Sequence, residues 1–225
     1  MKTYDTIIFD LDGTLLNTIE DLADSVNYAL SRAGCPGRTL TEIRSLVGNG
    51  AGHLLELCLP GGKNNPQYDQ CLLDFRQYYS ANMKNKTLPY PAIMELVQQL
   101  SQEDYKMAVV SNKFDPAVKA LICYYFGDYI KVAIGESENT ARKPAPDSVF
   151  KALAELGSSA DKAIYVGDSE VDIKTAKNAG LVGVSVTWGF KGREFLEANG
   201  AKYIIDKPEE LLSSVLNVLN AQFGH

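Results

Sequence analysis

The chain has 225 residues, 45% hydrophobic and 22% charged, with a formal net charge of −6. That is ordinary globular composition, and the length allows one large domain or a domain carrying an insert. The acidic balance argues against a nucleic-acid partner, and the apolar runs are too short for a membrane span or a signal peptide. Cys35, Cys58, Cys71 and Cys123 are scattered without metal-type spacing. They read as reduced thiols of a cytoplasmic protein. Only two histidines occur, His53 and His225, so a multi-histidine metal site is nearly ruled out by count.

In chain order, the first predicted element is the strand Thr6–Phe9, a short apolar run that ends in Asp10-Leu11-Asp12-Gly13-Thr14-Leu15. A helical stretch then runs from Leu16 to Thr87. Ile19, Leu22, Ala23, Val26 and Leu30 recur at helical spacing, Thr18 with Asp21 has the form of a capping box, and Gly34 is placed to end the helix. Gly48–Gly52 predicts a flexible break, followed by helices His53–Leu59 and Tyr68–Met83 on either side of the loop Pro60–Pro66. Tyr78 and Tyr79 there, and Tyr124 and Tyr125 later, read as helix packing.

From about Pro89 the pattern changes. Strands are predicted at Met107–Val110, Lys131–Ile134, Ala163–Val166, Val182–Val186 and Tyr203–Ile205. Between and after them come helices at Ile93–Gln102, Pro116–Tyr125, Asp147–Leu156, Glu170–Ala179, Arg193–Asn199 and Pro208–Leu219. Strand followed by helix, repeated, predicts an α/β fold with a doubly wound, Rossmann-like parallel sheet. The division expected is an α/β core of residues 1–15 and 88–225, with residues 16–87 inserted as a helical cap.

Four acids, Asp10, Asp12, Asp168 and Asp172, form two pairs that directly follow apolar strands. Open α/β sheets bind ligands at the C-terminal ends of such strands. Acids converging there repel: two unit charges 4 Å apart cost about 4 kcal/mol at an effective dielectric near 20. A hard divalent cation is the usual remedy. Alternation at a strand end puts Asp10 and Asp12 on one side. The first carboxylate can attack phosphorus, and the second can protonate the leaving oxygen and then activate water. Thr14 can bond phosphate oxygens or cap a turn. Ser111, Asn112 and Lys113 follow a strand, where hydroxyl and amide can orient a phosphate or cap the next helix. Lys143, set beside prolines, can balance charge on a transferring phosphoryl group. Asp168 can ligate Mg2+, while Ser169-x-x-Asp172 has the form of a capping box.

Asp10-Leu11-Asp12-Gly13-Thr14-Leu15 after a strand resembles the signature of the haloacid dehalogenase superfamily. Ser111-Asn112, Lys143-Pro144 and the acids after Ala163–Gly167 resemble its other motifs in order, so the resemblance covers essentially the whole chain. It implies that Asp10 is the nucleophile and Asp12 the general acid/base. An acid at the Asp12 position points to phosphatases and mutases, not to P-type ATPases or dehalogenases. Thr14, Ser111, Asn112 and Lys143 are then phosphate ligands, with Lys143 also catalytic. Mg2+ is expected on the Asp10 carboxylate, the Asp12 carbonyl and Asp168, with Asp172 as a close acidic partner.

The turn Val47–Gly52 resembles that of phosphoglycolate-phosphatase-like members, which makes Arg44, Gly48, Asn49, Gly50 and Lys113 candidates for the non-phosphate end of a substrate. Asn17 is a departure, since many such relatives carry an acid there. The function implied is Mg2+-dependent hydrolysis of a small phosphorylated metabolite such as 2-phosphoglycolate, by a cytoplasmic monomer or homodimer with no nucleic-acid or membrane partner. A β-phosphoglucomutase-type phosphotransferase shares every core residue, a promiscuous phosphatase for other small phosphates or pyrophosphate fits the same scaffold, and a non-catalytic phosphate-binding module is the alternative from another class. A phosphonatase would need a cap lysine for a Schiff base, and Lys63 lies in a loop away from the glycine turn. His53 reads as a helix-surface or interface residue, and Trp188-Gly189-Phe190, after the fifth of the later strands, as packing or as a loop near the site.

Overall fold

The computed structural model describes residues 3–217 and 219. Two compact units emerge: Met1–Leu16 with Pro89–His225, and Asn17–Leu88. The elements in order are β1 (Thr6–Phe9), β2 (Leu16–Asn17), α1 (Ile19–Arg32), α2 (Leu40–Leu46), α3 (Gly50–Cys58), α4 (Tyr68–Asn82) and β3 (Leu88–Pro89). After them come α5 (Ile93–Gln102), β4 (Lys106–Phe114), α6 (Asp115–Phe126), β5 (Val132–Glu136), α7 (Asp147–Leu156), β6 (Ala163–Gly167), α8 (Glu170–Ala179), β7 (Val182–Val186), α9 (Arg193–Ala198) and β8 (Tyr203–Ile205).

The first unit is built on a six-stranded sheet in the order β5-β4-β1-β6-β7-β8. Every pairing in it is parallel. Numbered by their own succession, its strands read 3-2-1-4-5-6, the order of a doubly wound fold. Strand order reverses between β1 and β6, so the crevice that binds ligands in such sheets opens beyond Phe9 and Gly167. The middle strands β1 and β6 are buried at every position, which is why they read as unbroken apolar runs and not as alternating ones. Ile8, Ala108, Val110, Ile134 and Tyr165 from the sheet pack with Val149, Leu153, Ala176 and Ala179 from the helices. Burying a large aliphatic side chain stabilises by about 1.5–3 kcal/mol.

Two differences from expectation are informative. Strand β4 does not stop at Val110. It shifts register and pairs again at Phe114 with Glu136, so Ser111, Asn112 and Lys113 sit inside an extended strand. Helix α6 begins after Phe114 with no side-chain cap, and the capping alternative for Ser111 and Asn112 therefore fails. Near the C-terminus, the helix expected at Pro208–Leu219 winds over Leu211–Leu216 as wider, π-type turns. Val218 and His225 lie outside the described residues.

The second unit is the inserted helical domain. Within it Tyr28 of α1 stacks on Tyr78 of α4 with ring centres 4.2 Å apart, and Phe75 and Tyr79 are buried. Helix α1 stops at Arg32 with Gly34 in the left-handed region, as anticipated. The Gly48–Gly52 break is shorter than expected, because α3 already begins at Gly50. Helix α2 was not anticipated; Thr39 and Glu42 form a full capping box at its start.

The capping box expected from Thr18 and Asp21 does not form: Thr18 makes no side-chain cap bond. Asp21 is buried and spends its carboxylate on a distant segment. It accepts from Lys86 N–H at 3.1 Å, from Thr87 N–H at 2.9 Å and from Thr87 Oγ1 at 2.8 Å. A buried donor left without a partner costs about 1–3 kcal/mol. Asp21→Ala should therefore lower unfolding free energy by about 3 kcal/mol in urea melts; a change of about 0.5 kcal/mol or less would show that water replaces the carboxylate.

Among the described residues no helix is long and apolar enough to cross a membrane. All four cysteines are free.

Candidate active site

The site begins where β1 and β6 end. Phe9 pairs with Val166, and Asp10 N–H donates to Val166 C=O at 2.8 Å. This bond holds Asp10 at the mouth of the crevice next to Asp168. The chain then turns sharply at Gly13, whose φ is +87°. A Cβ there would overlap the Asp168 carboxylate, so this position must be glycine both for its backbone conformation and for room. Leu15 and Leu16 N–H close the turn onto Leu11 C=O at 3.1 and 3.0 Å. Thr14 is buried and its Oγ1 has no protein partner, a donor available to an anion.

Asp168 follows β6 and is buried; its Oδ2 accepts from Phe190 N–H at 2.6 Å. Asp172 lies in the first turn of α8. The capping box read from Ser169 and Asp172 is present: Asp172 Oδ2 accepts from Ser169 N–H at 3.1 Å and Ser169 Oγ at 2.6 Å. Its other oxygen, Oδ1, accepts from Lys143 Nζ at 2.8 Å. Carboxylate oxygens of Asp10, Asp168 and Asp172 all lie within 4.8 Å of one another.

Lys143 is the hub. Its Nζ donates to Asp10 Oδ1 at 2.8 Å, to Asp172 Oδ1 at 2.8 Å and to the Tyr165 hydroxyl at 3.0 Å. Its backbone is braced by Asn112, whose Oδ1 accepts from Lys143 N–H at 2.9 Å and whose Nδ2 donates to Lys143 C=O at 3.1 Å. Asn112 thus uses both ends of its side-chain amide on the backbone of Lys143. Lys113 pairs with Asp12, Nζ to Oδ1 at 2.9 Å, and Ser111 Oγ accepts from Lys113 N–H at 3.2 Å.

The structure therefore gathers Asp10, Lys143, Asp168 and Asp172 into one cluster and joins Asp12 to Lys113 beside it. Arg44, Gly48, Asn49 and Gly50 belong to the helical unit, on α2, in the following turn and at the first residue of α3. Sequence reasoning missed Tyr165, whose hydroxyl meets both Lys143 Nζ and Asp172 Oδ1 at 3.0 and 3.1 Å. The signal was a lone hydroxyl in an otherwise aliphatic strand.

The profile of haloacid dehalogenase-like hydrolases matches residues 7–186, a span holding every member of this cluster. The chain belongs to that family. It is 35% identical to a phosphoglycolate phosphatase of Rhodobacter capsulatus, over 82% of this chain and 85% of that one. With a phosphoglycolate phosphatase of Mesorhizobium japonicum it shares 31% identity, over 85% and 86% of the two chains. The crystal structure of a Lactobacillus delbrueckii subsp. bulgaricus protein superposes with a TM-score of 0.87 at 34% identity, covering 94% of this chain and 97% of that one. A haloacid dehalogenase-like family hydrolase of Streptococcus pneumoniae gives 0.85 at 25% identity, covering 95% and 99%. The chain is a phosphatase of this family, phosphoglycolate-phosphatase-like.

For a haloacid dehalogenase-like enzyme the electrostatics of the cluster are telling. Burial, opposed by Lys143 and reinforced by Asp172 and Asp12, lifts the Asp10 carboxyl from 3.8 to about 7. Burial likewise pushes Asp168 well above the usual carboxylate range, helped by Asp172 and Asp10. Burial works against the Lys143 charge, yet Asp10 and Asp172 outweigh it and hold the ammonium above its ordinary range. Three carboxylates thus face one ammonium, and the surplus negative charge is buried. An all-oxygen donor set with surplus charge suits a hard divalent cation. The residues fit the metal that the family uses.

Proposed function

We propose that the chain is a Mg2+-dependent phosphomonoester hydrolase that passes through an aspartyl-phosphate on Asp10. The observation that supports this most is the Lys143 ammonium, buried between Asp10 and Asp172 at 2.8 Å from each. A lysine so placed fixes the nucleophile and faces the phosphoryl group it attacks. Asp10 Oδ1 is committed to Lys143, so Oδ2 attacks phosphorus: an O–P bond forms and the ester P–O bond breaks. Asp12 gives its proton to the departing oxygen from Oδ2, its Oδ1 being held by Lys113. Asp12 then takes a proton from water, the hydroxide attacks phosphorus, and Asp10 leaves with its carboxylate restored.

Thr14 Oγ1 and Ser111 Oγ are the hydroxyls assigned to the phosphate oxygens. Mg2+ would be held by Asp10, the Asp12 carbonyl and Asp168, with Asp172 beside them, and when bound it neutralises charge on the transferring phosphoryl group.

The substrate we favour is a small phosphorylated acid such as 2-phosphoglycolate. The names of the relatives support this, as does Lys113, an ammonium beside Asp12 able to meet a carboxylate. The four free thiols support a reducing, cytoplasmic setting, and a monomer or homodimer suffices for the chemistry. A panel of phosphate esters with Mg2+ tests the reading. Phosphoglycolate should give the highest kcat/KM, EDTA should abolish turnover, and added Mg2+ should restore it. Turnover that persists in EDTA would refute the metal site. Phosphate passed to a second sugar hydroxyl from glucose 1-phosphate would point to the mutase, and no turnover at all to a binding module.

A further inference from the structure

The segment after β7, Trp188-Gly189-Phe190, is in contact with the cluster at Asp168. Three observations converge on it. Phe190 N–H donates to Asp168 Oδ2 at 2.6 Å. Trp188 Nε1–H donates to Thr14 C=O at 3.0 Å, on the turn that carries Asp10 and Asp12. A Cβ on Gly189 would overlap the Asp168 side chain and the Gly13 carbonyl together. Asp168 is thereby enclosed between two glycines, Gly13 and Gly189, from two separate loops. The indole ties those loops together at Thr14.

We infer that Trp188-Gly189-Phe190 is a positioning clamp that fixes the Asp168 carboxylate and thereby sets metal affinity and metal choice at this site. The inference rests on the magnesium reading above. With Oδ2 spent on the Phe190 amide, Asp168 offers one oxygen, Oδ1, in a fixed direction. Mg2+ demands near-ideal octahedral geometry and suits a single, rigid carboxylate oxygen. Ca2+ accepts more ligands, looser angles and two-oxygen carboxylates. A rigid one-oxygen Asp168 therefore favours the smaller ion. Gly189 is required not for a special backbone angle but because the carboxylate and the Gly13 carbonyl occupy the space a side chain needs.

The test is melting temperature of the full chain against Mg2+ and, separately, Ca2+ concentration, which yields each ion's affinity through its stabilisation of the folded state. Gly189→Ala should weaken Mg2+ binding about 10-fold or more and Ca2+ binding less, so the Mg2+ to Ca2+ preference falls. In turnover assays the Mg2+ activation constant should rise while substrate KM at saturating Mg2+ stays near native. Trp188→Phe keeps the ring and loses the N–H; it should weaken Mg2+ about 3-fold, and it carries the test if Gly189→Ala does not fold. Native-like Mg2+ affinity in the variants, or equal losses for both ions, would overturn the clamp. If the native chain itself binds no Mg2+, the magnesium reading falls and the clamp with it.

Discussion

Asp10→Asn is expected to leave a folded protein whose turnover drops on the order of 10^4-fold or more, the scale seen when a covalent nucleophile is removed. The amide is nearly isosteric with the carboxylate but cannot attack phosphorus. The fold should not suffer. Asp10 is one of three buried carboxylates around one ammonium, and its charged form is disfavoured enough to lift its carboxyl to about 7. Lys143 keeps its bond to Asp172 at 2.8 Å after the change.

The sign of a pH effect follows. A carboxyl at 3.8 when unfolded and about 7 when folded binds more proton in the folded state between those values. In metal-free solution it therefore subtracts stability as pH rises through that window, and the subtraction is absent below it. The native protein in EDTA should lose stability from about pH 4 to about pH 7 more steeply than Asp10→Asn does. Melts across that range, together with turnover rates, check both statements. Turnover at the native rate would remove Asp10 from the chemistry, and label from a trapped intermediate found on another residue would do the same.

Lys143→Met should be nearly as costly to activity and much more costly to the fold. The thioether keeps most of the packing of the lysine stem, so the loss isolates the charge. Asp10 and Asp172, both buried, are left without a counter-ion, and breaking one side of a buried ion pair costs about 3–5 kcal/mol. Turnover should fall about 10^3-fold or more, because the ammonium proposed to balance the transferring phosphoryl group is lost. Mg2+ should return part of the lost stability and little of the rate. Urea melts with and without Mg2+, set beside kcat, separate the two effects. A variant with a native rate would show that lysine is an anchor and not a participant. Arginine is a poor substitute, because a planar fork cannot reproduce three bonds that converge on one nitrogen.

The elements that were legible in advance share one property: their burial is written in local composition. Thr6–Phe9 and Ala163–Gly167 are buried at every position, so they are apolar but for the hydroxyls of Thr6 and Tyr165. Val182–Val186 and Tyr203–Ile205 were bounded correctly for a related reason, their short β-branched and aromatic runs. Ser111, Asn112 and Lys113 were placed just past the end of a strand because the apolar run stops at Val110. They lie in the strand, where the side chains of Asn112 and Lys113 meet Lys143 and Asp12. Asp21 also misled. Its spacing from Thr18 matched a local cap, while its carboxylate was claimed by backbone amides at Lys86 and Thr87, which local pattern cannot see. Tyr165 was invisible as a site residue, and so was the bracing of Lys143 by Asn112, because Lys143 is 22 and 31 residues away from them in the chain.

Sequence alone determined the alternation of strand and helix, the helical insert and the placing of acids directly after buried strands, since each is a relation between near neighbours. Only the tertiary structure decided that Lys143 meets Asp10 across 133 residues, that Lys113 turns to Asp12, and that a tryptophan-glycine-phenylalanine loop encloses Asp168. The reason is physical: periodicity records which face of an element is buried, whereas the identity of what lies against that face is set by strand order and register.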